Sequence, residues 1–339
     1  MRAEHDSMTR SLAQTMAELL QPGRGILAAD ESIATMSDRL RHAGVASTAG
    51  TRRAYRELLV TTPDLATWVT GVILCDETLR QRMSDGWSFP DGLALRGLLA
   101  GVTVDTGAQP LAGAPGETIT EGLDGLRKRL AEYAAMGARF AKWRAVLRIG
   151  DGQPTWHALH ANAHAMARYA ALCQEAGIVP IVEPEVLMAG PHPLRRCRDI
   201  TAAALTVLFA ELRDCQVRLD ALVLKPNMVL PGAASGDAAT PADVAEQTLA
   251  ALRAAVPEAV AGVAFLSGGQ DPATATANLT AIAALDAPWP VTFSFGRALA
   301  DPALAAWRGD PDRVAHGQRA LTMRVAANAT ALARGSVLL

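Results

Sequence analysis

An eight-stranded α/β barrel is the fold that the sequence predicts, and three observations lead to it. Short, apolar, β-branched segments alternate with longer stretches rich in Ala and Leu along most of the chain. Strands that alternate with helices pair in parallel through crossover connections. Eight such strand segments are present, and eight parallel strands close into a (β/α)8 TIM barrel. With 339 residues, of which 50% are hydrophobic, the chain is long enough to form this barrel as one domain over residues 1–339.

The strand candidates recur along the chain and are, in order, Gly25–Asp30, Val69–Cys75, Leu98–Val104, Arg139–Trp143, Val179–Glu183, Ala221–Lys225, Gly262–Ser267 and Pro290–Phe295. Helical patterns between the later strands cover His157–Ala176, Leu194–Asp214, Pro241–Val256 and Pro272–Ala284. Three helix starts are predicted where an N-cap residue precedes proline, at Thr240-Pro241, Asp271-Pro272 and Asp301-Pro302. Extra helices over Ser7–Leu20 and Pro311–Arg334 are predicted as additions to the barrel.

The main alternative architecture is an open, doubly wound α/β sheet. Such a sheet is expected to carry a Gly-rich, phosphate-binding turn directly after its first strand. Here the first strand candidate ends in the sequence AADES, and neither GxGxxG nor GxxxxGK[ST] follows it. A closed barrel is therefore the better prediction, and a nucleotide-binding function is not indicated.

Charge and composition exclude several classes of protein. The 32 basic and 34 acidic residues give a net charge of −2, so a strongly basic nucleic-acid-binding surface is not expected. The first residues, MRAEHDSMTR, contain no apolar stretch, and no uncharged apolar run reaches the roughly 18 residues of a membrane span. The four cysteines have no CxxC spacing and are expected to be reduced thiols. We expect a cytoplasmic protein with no membrane partner.

Lysine is scarce in this chain, and its positions are informative. Only Lys128, Lys142 and Lys225 are lysine among the 32 basic residues. Arginine stays charged, whereas lysine can become a neutral amine. A composition bias toward arginine also explains the count, so the positions of the lysines decide their interpretation.

Ionisable groups gather where the predicted strands end. In a barrel, catalytic groups lie at the C-terminal ends of the strands. These ends carry Asp30, Glu31, Asp76, Glu77, Lys142, Arg144, Glu183, Glu185, Lys225, Ser267 and Arg297. Two of the three lysines are in this set, which indicates an active site at this edge.

Lys225 is the candidate nucleophile because it closes a buried strand. An amine there loses solvation, which disfavours its charged form, and the second amine of Lys142 adds like-charge repulsion. A neutral lysine attacks carbonyls to form a Schiff base. A salt bridge to a carboxylate at the same edge is the alternative, and position alone leaves both open.

Glu183 and Glu185 are two residues apart, so both face one side of a regular strand. With Asp30 they can supply the proton transfers of imine formation and carbon–carbon cleavage. The alternative is a structural carboxylate pair neutralised by Lys142 and Arg144.

The segment Ser267-Gly268-Gly269-Gln270-Asp271 runs from a strand into a helix N-terminus. Its glycines let backbone N–H groups approach an anion, and barrel phosphate sites commonly form after strands seven and eight. Gly296-Arg297, after the eighth strand, adds a guanidinium. We therefore expect a phosphate site here.

His157, His160 and His164 share one face of a predicted helix, which is a spacing seen in metal sites. Residue 161 is Ala where a zincin has Glu, and the helix does not follow a strand end. An amphipathic surface helix is the better interpretation, and no metal or cofactor is expected.

Taken together, these motifs resemble the class I (Schiff-base) fructose-bisphosphate aldolase family. The matching segments are GRGILAADES (23–32), GVILCDETL (71–79), GETITEGLDGL (116–126), RFAKWRAVL (139–147), ANAHAMARYAALCQEAGIVPIVEPEVL (161–187), LVLKPNMVLPG (222–232), FLSGGQDPATATANL (265–279) and FSFGRALADPALAAW (293–307). The resemblance implies a (β/α)8 barrel, a homotetramer and a metal-free lyase acting on a phosphorylated sugar.

The resemblance also implies roles for the catalytic residues. Lys225 is the Schiff-base nucleophile, and Lys142 stabilises charge as the carbinolamine forms and collapses. Glu183 carries the proton lost with water, and Glu185 orients the nucleophile. Asp30 takes the proton of the C4 hydroxyl.

By the same resemblance, the C1 phosphate is held by Ser267, Gly268, Gly296 and Arg297. Arg39 and Arg144 serve the far phosphate. We also expect Thr35, Thr103 and Thr106 to contribute to the substrate-binding surface.

The sequence departs from the glycolytic members of the family, which carry lysines where Thr103, Thr106 and Asp38 stand here. A phosphate would be repelled by Asp38 if this residue faced the pocket, by about 1 kcal/mol. The family's terminal tyrosine is also missing from the end RGSVLL, so slow protonation of the enamine is expected.

Three functions remain open at this point. The leading one is a fructose-bisphosphate aldolase of glycolysis. The second keeps the Schiff-base chemistry with a less anionic aldehyde in a specialised pathway. The third is a non-catalytic barrel that acts as a scaffold.

Overall fold

The computed structural model describes residues 12–337, with side chains described as far as residue 333. Its strands are β1 (Gly25–Ala29), β2 (Val69–Leu74), β3 (Leu99–Thr103), β4 (Gly107–Pro110), β5 (Thr118–Glu121), β6 (Ala138–Leu147), β7 (Val179–Val186), β8 (Val223–Leu224), β9 (Gly262–Phe265) and β10 (Val291–Phe295).

The first six helices are α1 (12–19), α2 (Ile33–His42), α3 (Ala49–Val60), α4 (Asp76–Arg80), α5 (Phe89–Leu95) and α6 (Leu126–Ala135). The remaining six are α7 (Trp156–Glu175), α8 (Leu194–Asp214), α9 (Pro241–Ala255), α10 (Pro272–Ala283), α11 (Arg297–Trp307) and α12 (Val314–Val337). Short 3-10 turns lie at Leu65–Thr67, Leu219–Ala221 and Pro311–Arg313.

The eight predicted strands form one closed parallel barrel, which confirms the predicted fold class. Around the barrel the order is β1, β2, β3, β6, β7, β8, β9, β10, and β10 pairs with β1 to close it. Each strand therefore lies beside its predecessor and successor in the chain. The ends of β9 and β10 consequently lie across the barrel from those of β3 and β6.

Side chains alternate between the two faces of each strand, and apolar ones fill the barrel interior toward the N-terminal ends of the strands. Phe140, Ile181 and Val223 belong to one buried cluster with residues of α1, which packs against the N-terminal end of the barrel. The Phe140 ring fills the space beside Gly101, where a Cβ would lie 2.2 Å from the ring. The same alternation brings Lys142, two residues after Phe140, onto the inner face one layer higher.

The N-terminal and C-terminal additions pack against different parts of the barrel. The predicted opening helix is present over residues 12–19, and its residues 7–11 lie outside the described part of the chain. The predicted final helix is a 3-10 turn followed by α12, which packs against α3, α10 and α11.

Two predicted helix starts are confirmed and one is wrong. Thr240 and Asp271 cap α9 and α10, each with proline in the first turn. Pro302, however, lies inside α11, which begins at Arg297. Proline leaves the carbonyl four residues earlier without its helical donor. Arg324 Nε donates to that carbonyl, at Ala298, over 3.3 Å, so the helix continues through the proline.

Three strands differ from their predicted boundaries by three or more residues in total, and one hairpin was not predicted. β6 and β7 run on to Leu147 and Val186, whereas β8 contains only two residues. The antiparallel pair β4–β5 was not predicted, because its residues are polar and mostly exposed and therefore lack the apolar alternation of a barrel strand.

Among residues 12–337, no helix has the length and hydropathy needed to cross a membrane.

Candidate active site

The C-terminal end of the barrel opens into a cavity of about 1050 Å³. The closed strand order brings residues from every part of the chain to its wall. All fourteen residues predicted for the site line it: Asp30, Thr35, Arg39, Thr103, Thr106, Lys142, Arg144, Glu183, Glu185, Lys225, Ser267, Gly268, Gly296 and Arg297. The site is therefore one continuous space rather than two separate clusters.

A chain of ion pairs crosses the floor of this cavity. Lys225 Nζ lies 3.2 Å from Glu183 Oε1, and Lys142 Nζ lies 3.4 Å from Glu183 Oε2. Lys142 Nζ also lies 2.8 Å from Asp30 Oδ2. Lys225, Lys142 and Glu183 are 3%, 6% and 5% exposed, so the pairs are shielded from bulk water.

The Glu183 carboxylate pairs with both lysines, an arrangement that the sequence did not predict. The Lys225 amine therefore faces an anion that it shares with Lys142. The salt bridge considered for Lys225 is thus present. A carboxylate at 3.2 Å is also placed to accept the proton that Lys225 must lose before it attacks a carbonyl.

Charge coupling holds Asp30 and Lys142 in their ionised forms. Burial by itself lowers the pKa of Lys142, but the carboxylates of Asp30, Glu183 and Asp105 outweigh it, and the net pKa is raised above 10.5. Burial raises the pKa of Asp30, but Lys142 and Lys225 outweigh it, and the net pKa is lowered below 3.8. Near neutral pH the pair is therefore a carboxylate beside an ammonium.

Asp105 is a site residue that the sequence reasoning missed. Its carboxylate accepts hydrogen bonds from the Arg144 amide at 3.1 Å and the Thr103 hydroxyl at 3.3 Å, and Lys142 Nζ is 4.0 Å away. The predicted third strand ends at Val104, so reading one residue past its end would have found Asp105.

Glu185 and Arg144 form a second pair beside the central one. Arg144 Nε donates to Glu185 Oε2 at 2.6 Å, and the Glu185 side chain is 6% exposed. As predicted, Glu183 and Glu185 face the same side of their strand, since both line the cavity.

The cation beside the loops after β9 and β10 has no ion-pair partner in the described part of the chain. Arg297 makes no ion pair or side-chain hydrogen bond with any described residue, although Asp301 senses its charge. Its guanidinium lies against the Gly269 backbone, because a Cβ on that glycine would be 3.2 Å from an Arg297 nitrogen. Gly268 and Gly269 have φ of +58° and +86°, values that favour glycine.

Ser294 also faces this part of the cavity and was missed as a site residue. It is 1% exposed, lines the cavity, and its hydroxyl has no partner among the described residues. It lies within the predicted eighth strand, before the strand end where site residues were sought. A buried, unpaired hydroxyl in the wall of a cavity is free to bind a ligand.

Arg39 is held by carboxylates instead of being free. Its Nη1 lies 2.5 Å from Glu31 Oε1 and 3.5 Å from Asp301 Oδ1. Glu31 is in turn held by the fully buried Arg56 at 2.8 Å. Asp38 is exposed, pairs with Arg41 and does not line the cavity, so the condition under which it would repel a phosphate is not met.

The histidines considered as metal ligands have other partners. His160 and His164 contact the carboxylate of Glu211 on α8, at 3.3 Å and 2.9 Å. His157 Nε2 lies 3.3 Å from the Ala112 carbonyl. No group of three or more His, Cys, Asp or Glu in the described part of the chain is arranged to hold a metal ion.

Comparison with known proteins assigns the family. The family model of class-I fructose-bisphosphate aldolase matches residues 11–336. A Xanthomonas campestris protein described as a probable fructose-bisphosphate aldolase class 1 is 49% identical over 300 residues, covering 88% of this chain and 90% of that protein. The chain belongs to the class I fructose-bisphosphate aldolase family.

Other members of the aldolase family agree with this assignment. The Arabidopsis thaliana protein named fructose-bisphosphate aldolase 4, cytosolic, is 46% identical over 329 residues, covering 96% of this chain and 84% of that protein. A solved structure of fructose-bisphosphate aldolase from Plasmodium falciparum, in complex with TRAP and a small molecule inhibitor, superposes with a TM-score of 0.95 at 41% identity. It covers 97% of this chain and 95% of that chain. The resemblance drawn from the motifs is thus confirmed.

The tyrosines of this aldolase lie in two environments. Tyr133 lines the cavity and donates a hydrogen bond to Asp76 at 2.8 Å. Tyr55 and Tyr169 are buried in the core, and burial raises the pKa of both.

Proposed function

We propose that this protein cleaves and forms the C3–C4 bond of a ketose 1-phosphate through a Schiff base on Lys225. The observation that carries the proposal is the shared carboxylate: Glu183 contacts the Lys225 amine at 3.2 Å and, through Lys142, is linked to Asp30. A nucleophile, a proton acceptor and a second acid–base group therefore meet in one water-shielded space.

Imine formation begins with Lys225 and Glu183. The Lys225 ammonium gives a proton to Glu183, and the neutral amine attacks the C2 carbonyl carbon of the substrate. The carbinolamine then loses its hydroxyl as water, with a proton returned from Glu183, and a cationic iminium remains. The Lys142 ammonium stabilises the oxygen anion that forms and collapses in these steps.

Cleavage uses the iminium as the electron acceptor. Asp30 takes the proton of the C4 hydroxyl, the C3–C4 electron pair moves into the iminium, and the aldehyde leaves. An enamine of dihydroxyacetone phosphate remains, is protonated at C3 and is hydrolysed to regenerate Lys225. The lowered pKa of Asp30 keeps it an anion that is ready to accept this proton.

The phosphate on C1 is held between the loops after β9 and β10. Arg297 supplies a guanidinium that has no ion-pair partner among the described residues. Gly268 and Gly296 allow close approach of the backbone, and Ser267 and Ser294 supply hydroxyls. Glu185 orients the groups around Lys225 through its bond to Arg144.

The protein is further proposed to work as a single domain, in the cytoplasm and as a homo-oligomer, a tetramer by its resemblance to the family. Some of its relatives are named cytosolic. Light scattering of the purified protein tests the assembly, and a monomer at micromolar concentration would contradict it.

Borohydride trapping with dihydroxyacetone phosphate tests the proposed chemistry. Reduction converts the iminium into a stable secondary amine, and the chain has only three lysines, so peptide mass spectrometry assigns the position without ambiguity. We expect the adduct on Lys225, its loss in Lys225→Met, and its retention in the matched control Lys128→Met, whose lysine is exposed. An unmodified wild-type protein would support a scaffold function and contradict the proposal.

A further inference from the structure

We propose that Asn227 is a positioning residue that holds Lys225 at its working distance from Glu183. This inference rests on the proposed function, because it concerns how the nucleophile of that reaction is placed. It follows from the hydrogen bonds that join β7, which carries Glu183, to the segment around Lys225.

Lys142 and Glu183 lie on two strands that are joined by a continuous backbone ladder. β6 pairs with β7 over the whole length of β7, Val179–Val186. The strand backbones therefore fix the distance between these two side chains without help from other groups.

Lys225 has much less backbone support against β7. β8 contains only two residues, and they pair with Ile181 and Val182 of β7. The Lys225 amide then donates to the Val182 carbonyl at 2.8 Å. In the described part of the chain, the next backbone hydrogen bond between the two segments comes only at Ala233, whose amide donates to the Met188 carbonyl at 2.7 Å.

A proline interrupts the strand pairing beside the reacting pair. The register of β7 and β8 places Glu183 opposite Lys225, and a continued parallel ladder would have residue 184 donate to the Lys225 carbonyl. Residue 184 is Pro184, which has no N–H, so this bond cannot form. The ladder thus stops where the distance between the two side chains matters most.

The side chain of Asn227 supplies the bond that follows the interruption. In a continued ladder the Val186 amide would donate to the backbone carbonyl of Asn227, but it donates to Asn227 Oδ1 instead, at 3.0 Å. The amide group of Asn227 is oriented by its other end. Its Nδ2 donates to Thr201 Oγ1 on α8 at 3.2 Å and to the Met228 carbonyl at 3.0 Å.

This bond lies in a region that water does not reach. Asn227 is 3% exposed, and residues 225–230 are buried although they form no helix or strand beyond β8. A buried backbone amide that loses its acceptor is not compensated by water. Without Asn227 Oδ1, the Lys225 amide alone joins this segment to β7 near the reacting pair, and a misplacement of about 1 Å lowers a rate by about 100-fold.

The other side of the segment is held by the backbone. The Leu266 amide at the end of β9 donates to the Pro226 carbonyl at 3.1 Å. The position of the segment relative to β9 therefore does not depend on Asn227. Loss of the Asn227 side chain should move Lys225 relative to Glu183 and leave the loop after β9, where the phosphate is proposed to bind, in place.

Borohydride trapping at increasing concentrations of dihydroxyacetone phosphate tests this role with Asn227→Leu, a variant of similar shape without an acceptor. We expect the maximal trapping rate to fall about tenfold or more, because the nucleophile is misplaced. The half-saturating concentration should stay within about threefold of the wild-type value, because the proposed phosphate loop is unchanged. A maximal rate within about threefold of wild type would overturn the inference.

Thr248→Val is the matched control. Thr248 Oγ1 accepts from the Val229 amide at 2.9 Å, so this variant also deprives a buried amide of its acceptor, but the bond leads to α9 and not to β7. Both variants should lose stability in denaturant unfolding, and only Asn227→Leu should lose trapping rate. An equal loss of rate in Thr248→Val would show a general loosening of the segment and overturn the positioning role.

Asn227→Ser is measured in the same way if Asn227→Leu does not fold. Its hydroxyl keeps a polar group in the buried position but ends one bond short of the place of Oδ1. The same two outcomes decide the inference with this variant.

The wild-type protein separates this inference from the proposed function. An adduct on Lys225 of the wild type, together with an unchanged maximal rate in Asn227→Leu, overturns the role of Asn227 alone. Absence of the adduct in the wild type overturns both.

Discussion

Glu183 contacts both buried lysines of the site, one with each carboxylate oxygen. This arrangement gives the two lysines different tasks. Lys142 has Asp30 and Asp105 as further anionic neighbours and is held as an ammonium, whereas Lys225 has only Glu183 within ion-pair distance among the described residues. In the proposed mechanism, the lysine with fewer acidic partners is the nucleophile.

The Asp30–Lys142 pair should contribute a constant stability across the working pH range. The pKa of Asp30 lies below 3.8 in the fold, so its contribution is present above the unfolded value and is lost as pH falls through the folded one. The pKa of Lys142 is raised above 10.5, so its contribution is complete below that value and is lost only at higher pH. Asp30→Asn is expected to reduce the free energy of unfolding by about 1–3 kcal/mol.

Denaturant unfolding of wild type and Asp30→Asn between pH 5 and pH 9 checks this expectation. The difference between the two proteins should be flat over this interval. A difference that changes by more than about 1 kcal/mol within it would mean that one of the two groups titrates there.

At the scale of secondary structure elements, the periodicity of the sequence predicted which strand residues form the site. It did not predict the conformation of the segments between the barrel strands. Alternation along β6 and β7 was enough to bring Lys142, Glu183 and Glu185 to one face, because the period of a strand is set by its backbone. The polar β4–β5 hairpin has no such pattern. Asp38, which is exposed and paired with Arg41, lies on α2, a helix that was not among the predicted helical patterns, so its direction was not predicted either.

Helix α12 links the two helices, α10 and α11, that follow the proposed phosphate-binding loops after β9 and β10. Arg324 on α12 donates to Thr276 Oγ1 at 2.6 Å and to the Pro272 carbonyl on α10, and to the Ala298 carbonyl on α11. Arg324→Met is expected to lower the free energy of unfolding by about 1–3 kcal/mol and to raise KM for the phosphorylated ketose more than it lowers kcat. Equilibrium unfolding and steady-state kinetics measure the two effects.

Arg319→Met provides the matched control, because Arg319 lies on the same helix and is exposed. It should leave both quantities at their wild-type values. Equal effects of the two substitutions would show that the bonds of Arg324 to α10 and α11 have no special role.

The apolar layer beneath the site depends on a glycine. A Cβ at Gly101 would lie 2.2 Å from the Phe140 ring, so Gly101→Ala overpacks the barrel interior and should cost about 1–3 kcal/mol. Gly50→Ala is the control, since its Cβ would meet only the Thr48 hydroxyl, at 3.6 Å, in the first turn of α3. Thermal unfolding should show a lower Tm for Gly101→Ala and an unchanged or higher Tm for Gly50→Ala.

At the scale of the whole molecule, closure of the barrel explains how a site spread over 268 residues, from Asp30 to Arg297, forms one cavity. The alternation of strands and helices was sufficient to predict closure, because eight parallel strands at the usual tilt return to the first one. The pairing of charges across the cavity could not be predicted from the sequence. It depends on which carboxylate reaches which cation: Glu31 pairs with Arg39, whereas Arg297 has no ion-pair partner among the described residues.

Exchange of the carbonyl oxygen of dihydroxyacetone phosphate with ¹⁸O-labelled water is the most direct test of the central claim. An imine on Lys225 must expel the C2 oxygen as water and take a new oxygen from solvent on hydrolysis. The wild-type protein should therefore catalyse the exchange, and Lys225→Met should reduce it to the uncatalysed rate. Cleavage of the ketose phosphate by the wild-type protein without oxygen exchange would contradict a Schiff-base mechanism.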